Sequence, residues 1–179
     1  MTANNAPKGP TSKVSGADGA MTPIKIVTRS EMERLAETWQ QDGSTTVFTN
    51  GCFDLLHVGH TRYLQKAREL GDRLVLGLNS DASVRGLKGP SRPILPQDER
   101  AELLAALACV DYVLVFDEPT ADEAIKAVRP TLYVKGGDYD PERIPETPLV
   151  RSLGGEVRVL PFVEGRSTTS LVSRIQSLG

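Results

Sequence analysis

From residue 44 onward the chain alternates between short apolar runs and longer stretches with helical periodicity. The apolar runs are "TTVFTN" (45–50), "RLVLGLN" (73–79), "DYVLVF" (111–116), "TLYVKG" (131–136) and "EVRVLPF" (156–162). Helical patterns fill the gaps at about 58–70, 96–108, 120–128, 141–153 and 168–177. Near-continuous apolar strands separated by helices predict a parallel sheet covered on both faces. The expected architecture is a single α/β domain, doubly wound around a five-stranded, mostly parallel sheet. In such sheets ligands bind beyond the carboxyl ends of the strands, where the strand order reverses.

Ahead of this pattern, residues 1–21 are dominated by small, polar, Gly and Pro residues with almost nothing to bury, and a disordered tail is expected there. Residues 22–43 read as an N-terminal extension carrying a short helix, "SEMERLAETWQQDG" (30–43). Ser30 can cap it, Glu33 sits at the capping-box position and Gly43 ends it. The main domain is then expected over 44–179.

Composition narrows the partners. The 179 residues carry a formal net charge of −2, which gives no global basic surface for nucleic acid. A local cationic pocket is compatible with that balance. Cys52 and Cys109 form no Cys-x-x-Cys pattern. No leader-like segment is apparent, and no apolar run approaches the roughly 20 residues of a membrane span. The expected setting is a reducing cytoplasm with both thiols free and no membrane partner.

The polar residues that could do chemistry fall just after the predicted strands. In "TNGCFDLLHVGH" (49–60) a strand ends near Asn50, Gly51 permits a turn, and a helix begins near Val58 or Gly59. His57 and His60, the only histidines, stand about one helical turn apart on that helix start. Free N–H groups and the dipole at a helix N-terminus attract phosphate, and Gly59 lets a bulky anion approach. A metal is the alternative, but a four-ligand zinc site from 52, 54, 57 and 60 is sterically awkward. In "GLNSDASVRGLKGPSRP" (77–93) the cations Arg85, Lys88 and Arg92 read as a flexible basic loop, either a solvated face or a polyphosphate clamp. "VKGGDYDPE" (134–142) offers Lys135, Gly137 and Asp138 in what is otherwise ordinary turn chemistry. "EGRSTTSLVSRI" (164–175) places Ser167, Thr168 and Thr169 where a last helix begins, as caps or as a second anion site, with Arg166 beside them. No Gly-x-x-x-x-Gly-Lys-Ser/Thr loop and no Ser-His-Asp order is apparent. Positive donors without an activated nucleophile suit attack by an already ionised phosphate. Catalysis there reduces to positioning and charge stabilisation.

These motifs resemble the nucleotidyltransferase superfamily with the His-x-Gly-His signature, here "HVGH", over about residues 44–177, including the second signature "GRSTTSLV". Within it the chain is most similar to the adenylyltransferase domain of bacterial heptose biosynthesis, through "TNGCFDLLHVGH", "LNSDASVRGLKGPSRPI", "VKGGDY", "GGEVRVLPF" and "GRSTT". The resemblance implies a Rossmann-like fold and the reaction of D-glycero-β-D-manno-heptose 1-phosphate with ATP to ADP-heptose and pyrophosphate. It implies Mg²⁺ accompanying ATP, with no metal held by the protein's own side chains, and a homodimer. The activity is often fused to a sugar kinase, and the absence of that domain here suggests the stand-alone form. By the same resemblance His57, His60 and Lys88 are catalytic. Thr49, Asn50, Gly51, Phe53, Gly59, Arg92, Ser167, Thr168 and Thr169 bind the nucleotide. Cys52, Asp54, Asn79, Asp81, Lys135, Gly137 and Asp138 bind the sugar phosphate, and Arg100 is a further phosphate donor. Related cytidylyltransferases often carry Arg-Thr-Glu-Gly where this chain has "FVEG", with Phe162 in place of the arginine. That departure weighs against the alternative of a cytidylyltransferase acting on a polyol phosphate.

Overall fold

The computed structural model describes residues 25–138, 140–161 and 168–178. Its sheet contains β1 (Ile26–Val27), β2 (Thr46–Gly51), β3 (Arg73–Asn79), β4 (Tyr112–Phe116), β5 (Leu132–Gly136) and β6 (Glu156–Leu160), in the spatial order β1-β4-β3-β2-β5-β6. Every neighbouring pair is parallel. The sheet therefore has one strand more than the five expected. The addition, β1, is two residues long and pairs with β4 through Ile26 opposite Val113. Two residues are too few to show a period of two, so this edge strand was invisible in the pattern.

Seven α-helices link the strands among the described residues: α1 (Arg29–Gln41), α2 (Val58–Arg68), α3 (Asp81–Lys88), α4 (Gln97–Ala105), α5 (Asp122–Val128), α6 (Thr147–Ser152) and α7 (Thr168–Gln176). Alternation along the strands sends side chains to two cores. Phe48, Val75, Leu114 and Tyr133 meet Met32, Trp39, Ile125 and Val150 from α1, α5 and α6 on one face. Val47, Leu74, Leu76, Leu78 and Val134 meet Leu64, Ala67, Ala101 and Leu104 from α2 and α4 on the other. Both faces are covered, as the unbroken apolar strands require. Burying the fully enclosed leucines contributes roughly 1.5–3 kcal/mol each relative to exposure.

Three local readings change. The cap of α1 is Thr28 and not Ser30; its side chain accepts from Glu31 N–H while the Glu31 carboxylate accepts from Thr28 N–H. Thr28-x-x-Glu31 has the same spacing as Ser30-x-x-Glu33, and the earlier pair wins because β1 ends at Val27. The basic stretch after β3 is mostly helix. Ser80 caps α3 by accepting from Ser83 N–H, and Gly89 ends it at φ +91°, a conformation that favours glycine. The helix expected over 141–153 is broken into a 3₁₀ turn (Pro141–Arg143) and α6, because Pro145 cannot continue a helix and Pro148 is tolerated only in a first turn.

β2 lies at the centre. From it the chain builds β3 and β4 on one side, then crosses back to lay β5 and β6 on the other. The strand order therefore reverses between β2 and β5, and a crevice at their carboxyl ends is the geometric consequence.

Candidate active site

The segment after β2 is shaped by one unusual residue. Phe53 has φ +42°, in the left-handed region that a bulky side chain rarely enters. Its ring folds back over the strand end, where a Cβ on Gly51 would come within 3.0 Å of it. Glycine is therefore needed at 51 for packing. The Phe53 ring meets His60 edge-on at 5.1 Å, and His60 stacks on His57 at 3.9 Å between centroids and 21° between planes.

His57 is the N-cap of α2, and its Nδ1 accepts from Gly59 N–H at 3.1 Å. With Nδ1 accepting from that backbone amide, the proton of the neutral ring lies on Nε2. The basicity of His60 is depressed to about 4. Burial is the main cause, followed by the proximity of His57 and of the Lys88 ammonium, against a smaller opposing contact with the Leu55 carbonyl. At neutral pH the His60 ring is therefore uncharged, and the two rings stand together at a helix N-terminus. Lys88, in the last turn of α3, is exposed and close enough to His60 to perturb it.

Around this pair lies a scaffold of buried ion pairs. Arg100, on α4, is fully buried. It donates through Nη1 to the carbonyls of Cys52 (2.6 Å) and Asn79 (2.9 Å), through Nε to the carbonyl of Leu95 (3.0 Å), and through Nη2 to Asp81 Oδ1 (2.7 Å). One guanidinium so ties together the loops that follow β2, β3 and α3. The reading of Arg100 as a phosphate donor is corrected: it has no face toward solvent, because it sits on the apolar side of α4, one turn before Leu104. Asp54, 2% exposed, accepts from the N–H groups of Ile94 and Leu95 through Oδ1 and pairs with Arg92 Nε at 2.6 Å through Oδ2. Asn79 donates to Ser83 Oγ at 3.0 Å. Thr49 is buried, its hydroxyl 2.7 Å from that of Tyr63. The polar atoms of Asp54, Asn79, Asp81 and Thr49, and the Cys52 carbonyl, are engaged in holding the loops.

The crevice between β2 and β5 is built differently. Asn50 Oδ1 accepts from the Tyr133 hydroxyl at 2.7 Å and from Lys135 Nζ at 2.9 Å. Lys135 also lies 3.4 Å from the Glu146 carboxylate, just before α6. Burial lowers the basicity of Lys135, and Glu146 opposes that shift. Glu146 and Tyr133 were missed in the sequence. Tyr133 looks like any core aromatic of a strand, and Glu146 lies in a Pro-rich stretch 11 residues from Lys135 with no spacing to connect them. Gly137 is buried and its N–H donates to the Leu160 carbonyl at 2.8 Å, while Asp138 is exposed. Thr168 and Thr169 open α7, and the Thr168 hydroxyl reaches 3.5 Å from the Leu55 carbonyl, beside the histidine loop. Arg166 and Ser167 lie outside the described residues. Among the described residues no three His, Cys, Asp or Glu side chains group closely enough to hold a metal ion. No helix among them is long and apolar enough to cross a membrane.

A central switch point, a helix N-terminus carrying paired imidazoles and an adjacent lysine together define a nucleotide-handling α/β domain. The particular family is equally plain: residues 48–174 match the cytidylyltransferase-like family, and the chain belongs to it. Similar proteins include the bifunctional protein HldE of Syntrophotalea carbinolica, 59% identical over 151 residues, and that of Wolinella succinogenes, 51% identical over 152 residues. Those alignments cover 84% and 85% of this chain but 31% of each relative, so the chain spans about a third of their length. Among solved structures, a lipopolysaccharide core biosynthesis protein from Thermoplasma volcanium matches with a TM-score of 0.57 at 28% identity, over 69% of this chain and all of that one.

Proposed function

We propose that this domain transfers the adenylyl group of ATP to a heptose 1-phosphate, giving ADP-heptose and pyrophosphate. The observation that carries the reading is the His57–His60 stack at the start of α2, beside Lys88. An oxygen of the sugar phosphate attacks the α-phosphorus of ATP in line, a new P–O bond forms, and the bond to pyrophosphate breaks. The attacking oxygen is already ionised, so no general base is needed. His57 Nε2–H, an N–H of His60 and the Lys88 ammonium donate to the oxygens where charge accumulates. ATP enters as its Mg²⁺ complex. Asn50, Gly51, Phe53, Gly59 and Arg92, with Ser167, Thr168 and Thr169, line the nucleotide. Lys135, Gly137 and Asp138 receive the acceptor. Asp54, Asn79, Asp81 and Cys52 act one layer back, through the loops they hold. The high identity to HldE proteins supports a heptose phosphate as acceptor. The free thiols are in keeping with a cytoplasmic setting, and a homodimer is the working form we propose on the family resemblance.

The test is a panel of nucleoside triphosphates against heptose 1-phosphate, read as pyrophosphate release. ATP should support turnover far better than CTP or GTP. Preference for CTP with a polyol phosphate would replace this reading with the cytidylyltransferase one, and nucleotide binding without turnover on any sugar or polyol phosphate would defeat both.

A further inference from the structure

The crevice between β2 and β5 holds a buried charge pair that the family signatures do not contain. Lys135 leaves the end of β5 with its ammonium 2.9 Å from Asn50 Oδ1 and 3.4 Å from a carboxylate oxygen of Glu146. The Lys135 side chain is 25% exposed and that of Glu146 14%. Glu146 precedes α6 directly, yet its side chain makes no capping bond to that helix, so its local backbone does not require it. The carboxylate is instead turned toward Lys135 and lies near the Tyr133 hydroxyl, which itself donates to Asn50 Oδ1. Asn50 and Glu146 thus grip the same lysine from opposite elements. A carboxylate beside the cation meant for a phosphate repels that phosphate, which gives its presence a price unless it does something for the lysine itself.

We propose that Glu146 is a positioning residue for the acceptor phosphate: with Asn50 it holds the Lys135 ammonium in place in the crevice and gives it a counter-charge there. The proposal rests on the reading of Lys135 as the acceptor's phosphate contact. Burial in the crevice favours the neutral amine, and Glu146 is the largest influence in the other direction. The other titratable groups around the cluster are Tyr133 on β5, Cys52 after β2, Tyr63 on α2 and Asp122 on α5. Burial holds both tyrosines in the neutral phenol form over the working range. Cys52 adds only a minor contribution to Lys135, and Asp122 is felt through Tyr133. Among the neighbouring groups, Glu146 is therefore the chief one that favours the charged amine.

The experiment compares wild type with Glu146→Gln, which keeps the shape and removes the charge, and with Glu146→Asp as the conservative control. Competitive acetylation of Lys135 against pH, read by mass spectrometry, needs no substrate. In Glu146→Gln its midpoint should fall below that of wild type, and Glu146→Asp should restore most of the difference. In turnover assays near pH 8.5, Glu146→Gln should raise KM for the sugar 1-phosphate about tenfold while KM for ATP changes less than about twofold. The loss should shrink as pH falls and the amine recharges. An acetylation profile identical to wild type would overturn the proposal, as would equal rises in both KM values. A wild type with no turnover would defeat the acceptor reading alone, since the acetylation profile still decides what Glu146 does to Lys135.

Discussion

The two edges of this sheet contain similar polar residues and put them to different use. At the amino ends, Thr45 N–H donates to Asp72, Thr46 N–H to the Thr131 hydroxyl, and Leu74 N–H to Asp111, which also pairs with Arg68. These are local closures of strand starts. This edge also holds a cleft of about 360 Å³ lined by Trp39, Ser44, Thr46, Arg129, Thr131 and Gly154. At the carboxyl ends, polar groups from β2, β3, α3, α4 and β5 converge, and paired imidazoles are held at a helix start. The amino edge holds this cleft, and the carboxyl edge gathers the polar groups of the candidate site. The strand-order reversal between β2 and β5 separates neighbouring loops only at the carboxyl side, so that side alone can admit a ligand among many donors.

The sharpest way to break this contrast is at the histidines. His60→Ala should lower kcat about 10²–10³-fold with little change in ATP affinity, as expected for a donor used mainly in the transition state. Steady-state kinetics and equilibrium ATP binding would check this, and a loss confined to affinity would remove the assigned role. Next comes the scaffold. Arg100→Met leaves Asp81 and three carbonyls without their partner and should cost about 3–5 kcal/mol of unfolding free energy in urea titrations. A cost under about 1 kcal/mol would mean the loops are held without it.

The third test uses pH. The basicity of His60 is lowered in the fold from 6.5 to about 4, so folding favours the neutral ring. The stabilisation is fully present above about pH 6.5 and is lost as pH falls toward about 4, where the unfolded chain gains a proton that the folded ring resists. The urea midpoint should therefore fall between pH 7 and 4.5, and His60→Asn should flatten that part of the curve. The smallest effect belongs to the other edge. Arg129 sits at φ +46° at the end of α5, lining the cleft. Arg129→Gly should relieve that conformation, raise stability by at most about 1 kcal/mol, and leave turnover unchanged. A change in turnover would show that the amino edge participates in function.

Much of this molecule follows from local pattern. Five apolar runs and their helices were legible because buried parallel strands need unbroken apolar sequence and covering helices need a 3.6-residue stripe. His57 and His60 were legible as a pair because one helical turn brings them together whatever surrounds them. The helix α3 was obscured because its Gly and basic residues resemble a loop, although the Ser80 cap was present in the sequence.

What only the tertiary structure decided is which polar groups face a ligand and which hold the frame. Asp54 and Arg100 have the residue types of a binding site, and long-range pairing buries both: Asp54 meets residues 40 and 41 positions away, and Arg100 meets a carbonyl 48 positions away. The low basicity of His60 likewise depends on burial, on His57 and on Lys88, and burial and the approach of Lys88 are not reported by a one-dimensional spacing. Glu146 joins Lys135 and Tyr133 only after the chain crosses back over β2. Periodicity is a local property of backbone geometry and survives in the sequence, whereas the partner of a buried charge is set by the topology that brings distant loops to one edge.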